Sequence, residues 1–497
     1  MFYYGTHCVP LDSLCTTSVF ILLNLILYES LVFLLFICKM FLKVFSFVLI
    51  FFSLSSSFSQ EVEIKNTIWE QEGYYRILKI EDTTYTYYNY DKYGCSILVQ
   101  GDFEGRFKVI DYKKNLLVLN PGGIVEYRFK KINKVPTECF SIKNDRDYSF
   151  DINFKSFWET FSRNYGFFEQ RGIDWEEIYR VYLPKIKSLN SSQDFGKLFK
   201  EIVDKFNDGH IRLDIPELIQ QPPKIKREKR TYSKDQILDS ISKKYLVTPF
   251  DYNNGVIRWG IIKNRNIGYI GIRDMNGFSN YITDNIENTI TFDSVYKERE
   301  KFYQPLEQFK NEILGVEFIM DKVLKDLNET SSIIIDLRFN GGGYETVSLK
   351  LLSYFIKDEK HIFSVKTKTS NGFTPVQKYY IKPSKKSEKN IYLLTSPFSS
   401  SSTEIFVLGS LSFNNFERLG SKTNGIFSEL LWKQLPNGWE YSLSNEVYMD
   451  TKDKTYEGNG IDVDVNFEYS KDKNLFYNSF FSSNKFSDKL INQIIEN

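Results

Sequence analysis

Three short stretches of this chain gather residues whose types could do chemistry. Leu394-Thr-Ser-Pro-Phe-Ser-Ser-Ser-Ser-Thr-Glu404 sets a run of hydroxyls between a strand-like and a helix-like segment. A hydroxyl nucleophile needs an exposed place on a rigid turn, a base nearby and N–H donors for an oxyanion; a turn at a helix N-terminus supplies the first and part of the third. Serines before a helix also serve as caps and turn formers, so the run alone leaves both readings open. Asp336-Leu-Arg-Phe-Asn-Gly-Gly-Gly343 follows an apolar strand and precedes a helix. Its glycines let backbone approach a substrate closely, and N–H groups at a helix entry can face developing negative charge, although a plain tight turn looks the same. It lacks the Gly-Lys-Ser/Thr of a phosphate-cradling loop. Asp208-Gly-His210 supplies an imidazole. Of the 3 histidines, His7 lies in an apolar leader and His361 opens a strand-like His-Ile-Phe-Ser-Val, which leaves His210 as the one placed to act as a base. A lone histidine after a helix is also an ordinary surface or core residue.

The elements that must hold these stretches come from a chain of 497 residues, enough for two or three domains at about 100–200 residues each. Lys+Arg number 64 against 63 Asp+Glu, with no stretch of concentrated sign, which argues against a nucleic-acid partner. From residue 1 to 59 the only charged side chains are Asp12, Glu29, Lys39 and Lys43. Met40-Phe-Leu-Lys43, the apolar run Val44 to Phe52 and the small-residue stretch to Ser59 have the three parts of a secretory signal, predicting export with cleavage near Ser59-Gln60 and translation from Met40. The alternative is a start at Met1 with a membrane helix over residues 18 to 38, interrupted by Glu29. Membrane contact is expected only through this leader. Cys8, Cys15 and Cys38 fall within it, leaving Cys95 and Cys139, bonded or as free thiols, and neither stands in metal-ligand spacing with a histidine.

Residues 60–145 alternate aromatic and polar residues, as in Thr84-Tyr-Thr-Tyr-Tyr88, and predict an antiparallel β module whose tyrosines pack on their own sheet or line a ligand groove. Residues 146–213 turn helical, with Phe154, Phe157, Trp158 and Phe161 on one face. Residues 214–256 are polar and read as a linker or flap, and residues 471–497 as a tail or helix. Between them, 257–470 alternates apolar strands with helices: Ile267 to Ile272, Val316 to Leu327, Ser332 to Asp336, Val347 to Ile356, Ile391 to Thr395 and Thr403 to Leu411. That is an α/β core with a largely parallel sheet, where ligand chemistry gathers at the carboxyl ends of the strands.

In this order the three motifs resemble the tail-specific, or C-terminal processing, serine peptidases, in their tricorn-core-like branch. Trp158, Asn164-Tyr-Gly-Phe-Phe168, Gly172-Ile-Asp-Trp175, Gly420-x-x-Thr-x-Gly425 and Tyr456-Glu-Gly-Asn-Gly-Ile461 carry the likeness over residues 150 to 470. The resemblance implies a core of the ClpP/crotonase-like type and a serine-type peptidase acting on protein or peptide substrates without metal or organic cofactor. It selects Ser401 as nucleophile, three residues before Glu404, with Ser402 and Gly342, or Gly343 in its place, giving oxyanion N–H groups. It makes His210 the base and Glu457 the third member of the relay. The other branch uses a lysine directly after a glycine equivalent to Gly425, where this chain has Ile426; Lys422 is the nearby fallback. The ending Gly460-Ile-Asp-Val-Asp464 lacks the family's proline, and no peptide-binding insert follows the helical segment. A catalytically inactive binder of peptides or hydrophobic ligands on the same fold is the alternative. Oligomeric state is not legible.

Overall fold

In Thr84–Tyr90 every second side chain turns inward, with Tyr85, Tyr87 and Asn89 buried, the period that a sheet with one packed face requires. The computed structural model describes residues 64–139, 149–216, 232–279, 289–301, 304–483 and 485–496. The chain divides into Met1–Lys65 and Asn66–Asn497. The expected signal segment lies outside the described residues, and the strands and helices belong to the second unit. Strands β1 (Thr67–Gln71), β2 (Arg76–Glu81), β3 (Thr84–Tyr90), β4 (Cys95–Asp102), β5 (Lys108–Lys113), β6 (Leu116–Asn120) and β7 (Tyr127–Ile132) form one antiparallel sheet in the order β4-β3-β2-β1-β7-β6-β5. Tyr85 and Tyr87 stand edge-on to Phe107, so the aromatic face serves its own sheet rather than a groove. Cys95 and Cys139 are disulfide-bonded, tying β4 to the segment that leaves the module.

The helical segment is built on stacked aromatics. Phe154, Phe157 and Phe161 of α1 (Phe150–Asn164) are fully buried, and Phe157 meets Trp175 of α2 (Trp175–Lys187) and Phe199 of α3 (Ser192–Asp204). Asp174 and Ser191 start the second and third helices by accepting from the Glu177 and Asp194 N–H groups. Beyond α3 the chain turns at Asn207 and reaches β8 (Leu213–Asp214), which pairs with residues 440–441 of the core.

In the core, α4 (Lys234–Tyr245) precedes β9 (Phe250–Tyr252), β10 (Ile257–Ile261), β11 (Ile267–Ile272), α5 (Thr289–Glu300), α6 (Pro305–Asp326) and β12 (Ser332–Asp336). Next come α7 (Glu345–Leu352), β13 (Lys360–Thr369), β14 (Gly372–Phe373), β15 (Gln377–Ile381), β16 (Asn390–Thr395) and α8 (Ser402–Ser410). β17 (Phe416–Gly420), β18 (Leu430–Gln434), β19 (Glu440–Ser444), β20 (Glu446–Met449), β21 (Val465–Asn466), α9 (Lys473–Asn478), the paired strands β22 (Phe481–Ser482) and β23 (Lys485–Phe486), and α10 (Lys489–Glu496) follow. The main sheet runs β21-β17-β16-β12-β11-β10-β9, parallel from β21 to β11 and antiparallel at β10 and β9. Every residue of β12 is buried, as a central strand covered on both faces demands. Among the described residues no helix is long and apolar enough to cross a membrane.

One segment read from composition needs correction. Part of the expected linker at 214–256 is structural: α4 opens with a capping box between Ser233 and Gln236 and buries Ile237, Leu238, Ile241 and Tyr245, while β9 extends the main sheet. Only four apolar residues sit among its lysines, aspartates and serines, so averaging over composition hides a face whose spacing is helical. The basic run within 217–231 lies outside the described residues. The segment 471–497, expected as a tail or helix, holds the helices α9 and α10, and it is packed in: Phe476, Tyr477, Phe480, Leu490, Ile491 and Ile494 join α4 in covering Tyr269, Ile334, Leu394 and Leu419 of the sheet.

Candidate active site

β12 and β16 are parallel neighbours with Asp336 opposite Leu394, so the glycine loop and the serine run leave the sheet side by side. The glycine loop then sorts the hydroxyls. Ser396 Oγ donates to the Arg338 carbonyl at 2.6 Å, Ser399 Oγ to the Leu337 carbonyl at 2.8 Å, Ser400 Oγ to the Gly341 carbonyl at 3.1 Å and Thr403 Oγ1 to Asn340 Oδ1 at 2.6 Å. These four stitch two loops together. The Ser402 hydroxyl is buried without a partner. Ser401 is half-buried, and among the described residues its hydroxyl makes no hydrogen bond, leaving it free at the N-cap of α8.

Ser401 has φ 58° and ψ −131°, a backbone that costs a non-glycine residue about 1–3 kcal/mol and must be held from outside. Its N–H donates to the Ile426 carbonyl at 2.9 Å, and its carbonyl accepts from Glu404 N at 2.7 Å. Glu404 is fully buried, and its two carboxylate oxygens accept from Gly425 N at 2.7 Å and Ile426 N at 2.8 Å. Burial pushes this carboxyl up to about 7, against the pull of those donors and the Thr423 hydroxyl. Ile426 is therefore bound in both directions to the serine turn.

Gly342 (φ 107°) lies directly against the serine: a Cβ there would stand 2.7 Å from Ser401 Cβ. Its N–H donates to Asn340 Oδ1 at 2.9 Å and its carbonyl accepts from Met275 N at 2.9 Å. Gly343 passes so close to Met275 that a Cβ would meet its backbone at 2.6 Å. Among the described residues the N–H groups of Gly343 and Ser402 have no acceptor. Of the two glycines, Gly342 thus makes the contact with Ser401 and Gly343 keeps the open donor.

His210 is buried at the end of the Asn207-Asp208-Gly209 turn, with its ring against the Ser428 backbone and its Nδ1 buried without a partner. Among the described residues it shares no hydrogen bond with Ser401. The link runs through one short segment, because Gly209 packs on Ile426, whose carbonyl holds Ser401. Burial pulls the imidazole down to about 4, the Asp208 charge opposing and Arg212 assisting, so the ring is neutral.

Glu457 is not on the imidazole. Its Oε2 accepts from Phe427 N at 2.8 Å and Ser428 N at 3.3 Å, and its Oε1 from Arg171 Nη2 at 3.1 Å. Burial and then the neighbouring Asp208 charge raise its carboxyl, against the pull of the Phe427 N–H and of the Arg171 guanidinium that pairs with it. Arg171 Nη2 also lies 3.8 Å from Asp208 Oδ2, which accepts from the Tyr165 hydroxyl at 3.0 Å, while Asp208 Oδ1 accepts from the His210 N–H at 2.9 Å. Asp208, Arg171 and Tyr165 are site residues that sequence reasoning does not assign. Asp208 stands inside the Asp208-Gly-His210 motif, but Arg171 is 286 residues from Glu457 and no local pattern announces the pair. Lys422 faces solvent, paired with Asp462 at 2.9 Å and Asn459 at 3.3 Å, away from Ser401. His361 bonds Ser364 on β13. Among the described residues no group of three or more His, Cys, Asp or Glu could hold a metal ion.

Residues 266–467 match peptidase family S41, and residues 147–204 match the tricorn protease C1 domain. Among solved structures, a protein from Parabacteroides merdae described as a peptidase candidate is 19% identical, covering 65% of this chain and 91% of its own, with a TM-score of 0.48. A photosystem II D1 C-terminal processing protease is 12% identical over 65% of this chain and 94% of its own, TM-score 0.39. Mature CPAF complexed with lactacystin is 10% identical over 64% and 93%, TM-score 0.45.

Proposed function

We propose that this chain, whose residues 266–467 match peptidase family S41, is a serine-type peptidase that hydrolyses peptide bonds of exported proteins through an acyl-enzyme at Ser401. The observation that carries the reading is the sorting of the serine run: four neighbouring hydroxyls are consumed by the glycine loop, that of Ser402 is buried, and that of Ser401, unbonded and half-exposed, sits on a strained turn at a helix N-terminus. His210, neutral in its buried seat, takes the Ser401 proton as the oxygen attacks the scissile carbonyl. The oxyanion forms between the N–H groups of Ser402 and Gly343, with Gly342, its own N–H held by Asn340, setting the loop against Ser401. His210 then passes the proton to the departing amine, and water, deprotonated by the same ring, releases the acid and restores Ser401. Glu457 acts on the base through the Phe427–Ser428 backbone. Since the two side chains are not yet hydrogen-bonded, substrate must bring them together.

The composition of the leader and the Cys95–Cys139 bond support an oxidising compartment beyond the cytoplasm. Ser401→Ala is expected to abolish cleavage of an unfolded protein and labelling by an active-site serine reagent. Full activity in that variant sinks the assignment.

A further inference from the structure

The four residues Gly425 to Ser428 are clamped from both sides of the candidate site. On one side Ile426 gives its carbonyl to the Ser401 N–H, and Gly425 and Ile426 give their N–H groups to Glu404. On the other, Phe427 and Ser428 donate to Glu457, and the His210 ring rests on the Ser428 backbone. The nucleophile and the base are thus placed relative to one another by a shared strip of backbone. That strip fixes the base only if the His210 turn is fixed to Glu457.

We propose that Arg171 is a positioning residue that makes this connection, bridging Asp208, which holds the His210 turn, to Glu457, which holds the strip. Its side chain is 7% exposed, its Nη2 lies 3.1 Å from Glu457 Oε1 and 3.8 Å from Asp208 Oδ2, and its Nη1 donates to the Asn207 carbonyl. Asp208 spends its other contacts on the same turn and its surroundings, accepting from the His210 N–H and from the Tyr165 and Ser444 hydroxyls. A Cβ on Gly458 would stand 3.2 Å from the Arg171 guanidinium carbon, so the residue after Glu457 closes over the bridge. Without the bridge, Asp208 and Glu457 are left as two buried carboxyl groups facing one another, and the base drifts from the serine while the substrate cleft keeps its shape.

This inference rests on the peptidase reading. With a peptide ester substrate, Arg171→Met is expected to lower kcat about 10- to 100-fold, the penalty of misplacing a catalytic group by about 1 Å, with KM changed less than about twofold. Arg171→Lys, which keeps a cation between the two carboxyls, is expected to recover most of that loss. Glu457→Gln, which keeps an oxygen for the Phe427 and Ser428 N–H groups but breaks the ion pair, is expected to reproduce it, and serves if Arg171→Met fails to fold. A kcat within about twofold of the parent in Glu457→Gln, or a folded Arg171→Met that loses affinity instead of turnover, overturns the proposal. Either result leaves Ser401 in place, since the peptidase reading stands or falls on Ser401→Ala.

Discussion

Two buried charge clusters flank the glycine loop and are built on opposite rules. Where the loop begins, Arg338 is fully buried between two aspartates: Nε and Nη2 donate to Asp336 at 2.9 and 2.6 Å, Nη1 and Nη2 to Asp488 at 3.1 and 2.7 Å, and Nη1 to the Tyr469 hydroxyl at 2.7 Å. Burial pulls the guanidinium towards neutrality, but Asp336, Asp488 and Tyr469 outweigh it and hold the charge. Where the loop ends, Glu345 meets Glu429 and Glu446 beneath Tyr74 and Tyr127 of the N-terminal sheet. Tyr448 donates to Glu345 at 2.7 Å and to Glu446 at 3.3 Å, and Tyr74 donates to Glu446. Among the described residues none of the three makes an ion pair; Arg76 and Arg106 act on Glu429 only as minor influences. Burial, reinforced by the neighbouring acids, raises Glu345 to about 7 and Glu429 and Glu446 to about 8. One cluster is held by charge, the other by protons, so between pH 5 and pH 9 the second is the one that should answer to pH.

The largest expected effect comes from breaking the first cluster. Asp488→Ala strands a buried guanidinium and is expected to cost about 3–5 kcal/mol in urea unfolding. Activity should fall with it, because the Arg338 and Leu337 carbonyls are where Ser396 and Ser399 dock the serine run. A cost below about 1 kcal/mol would mean that the C-terminal segment is not part of the loop's foundation.

The second cluster is probed by pH. A carboxyl whose folded pKa is raised keeps its proton while the unfolded chain releases it, so the unfolded state binds fewer protons and stability falls as pH rises. The window opens near the ordinary glutamate value of 4.5 and closes above about 8, where the buried groups ionise. Between pH 5 and pH 9 the protein is expected to lose on the order of 2–4 kcal/mol of unfolding free energy. Glu429→Gln should unfold with the parent at pH 5 and be about 1–2 kcal/mol more stable than it at pH 9. A flat parent profile would show that a cation holds this cluster too.

How much of these regions is legible in the sequence depends on the range of their contacts. The apolar strand Ser332–Asp336 and the helix after the serine run are local patterns, and both lie where spacing and composition put them. In the sequence, family register alone singles out Ser401 from its neighbours. The structure separates it on physical grounds, through hydroxyl bonds that cross about 60 residues of chain and leave no trace in local spacing. Asp488 and Arg338 are 150 residues apart, Tyr74 and Glu446 372, so neither cluster can be read from the sequence. Lysines crowding the four apolar residues of α4 hide a core helix for the opposite reason, an averaging over residues that face different ways.

An exposed ion pair sets the lower bound for both clusters. Lys422 and Asp462 face each other at 2.9 Å with side chains 41% and 65% exposed, so water screens the attraction and holding two mobile side chains together costs entropy. Lys422→Met should therefore change stability by less than about 1 kcal/mol. It should also leave kcat within about twofold of the parent, because the amine is committed to Asp462 and Asn459 rather than to Ser401. The sharper readout is a Lys422→Met assay at pH 9, where a lysine base would be most active: a large loss there would move the base from His210 to Lys422. An unchanged rate would leave the imidazole, held through Asp208 and the Ser428 backbone, as the base that serves Ser401.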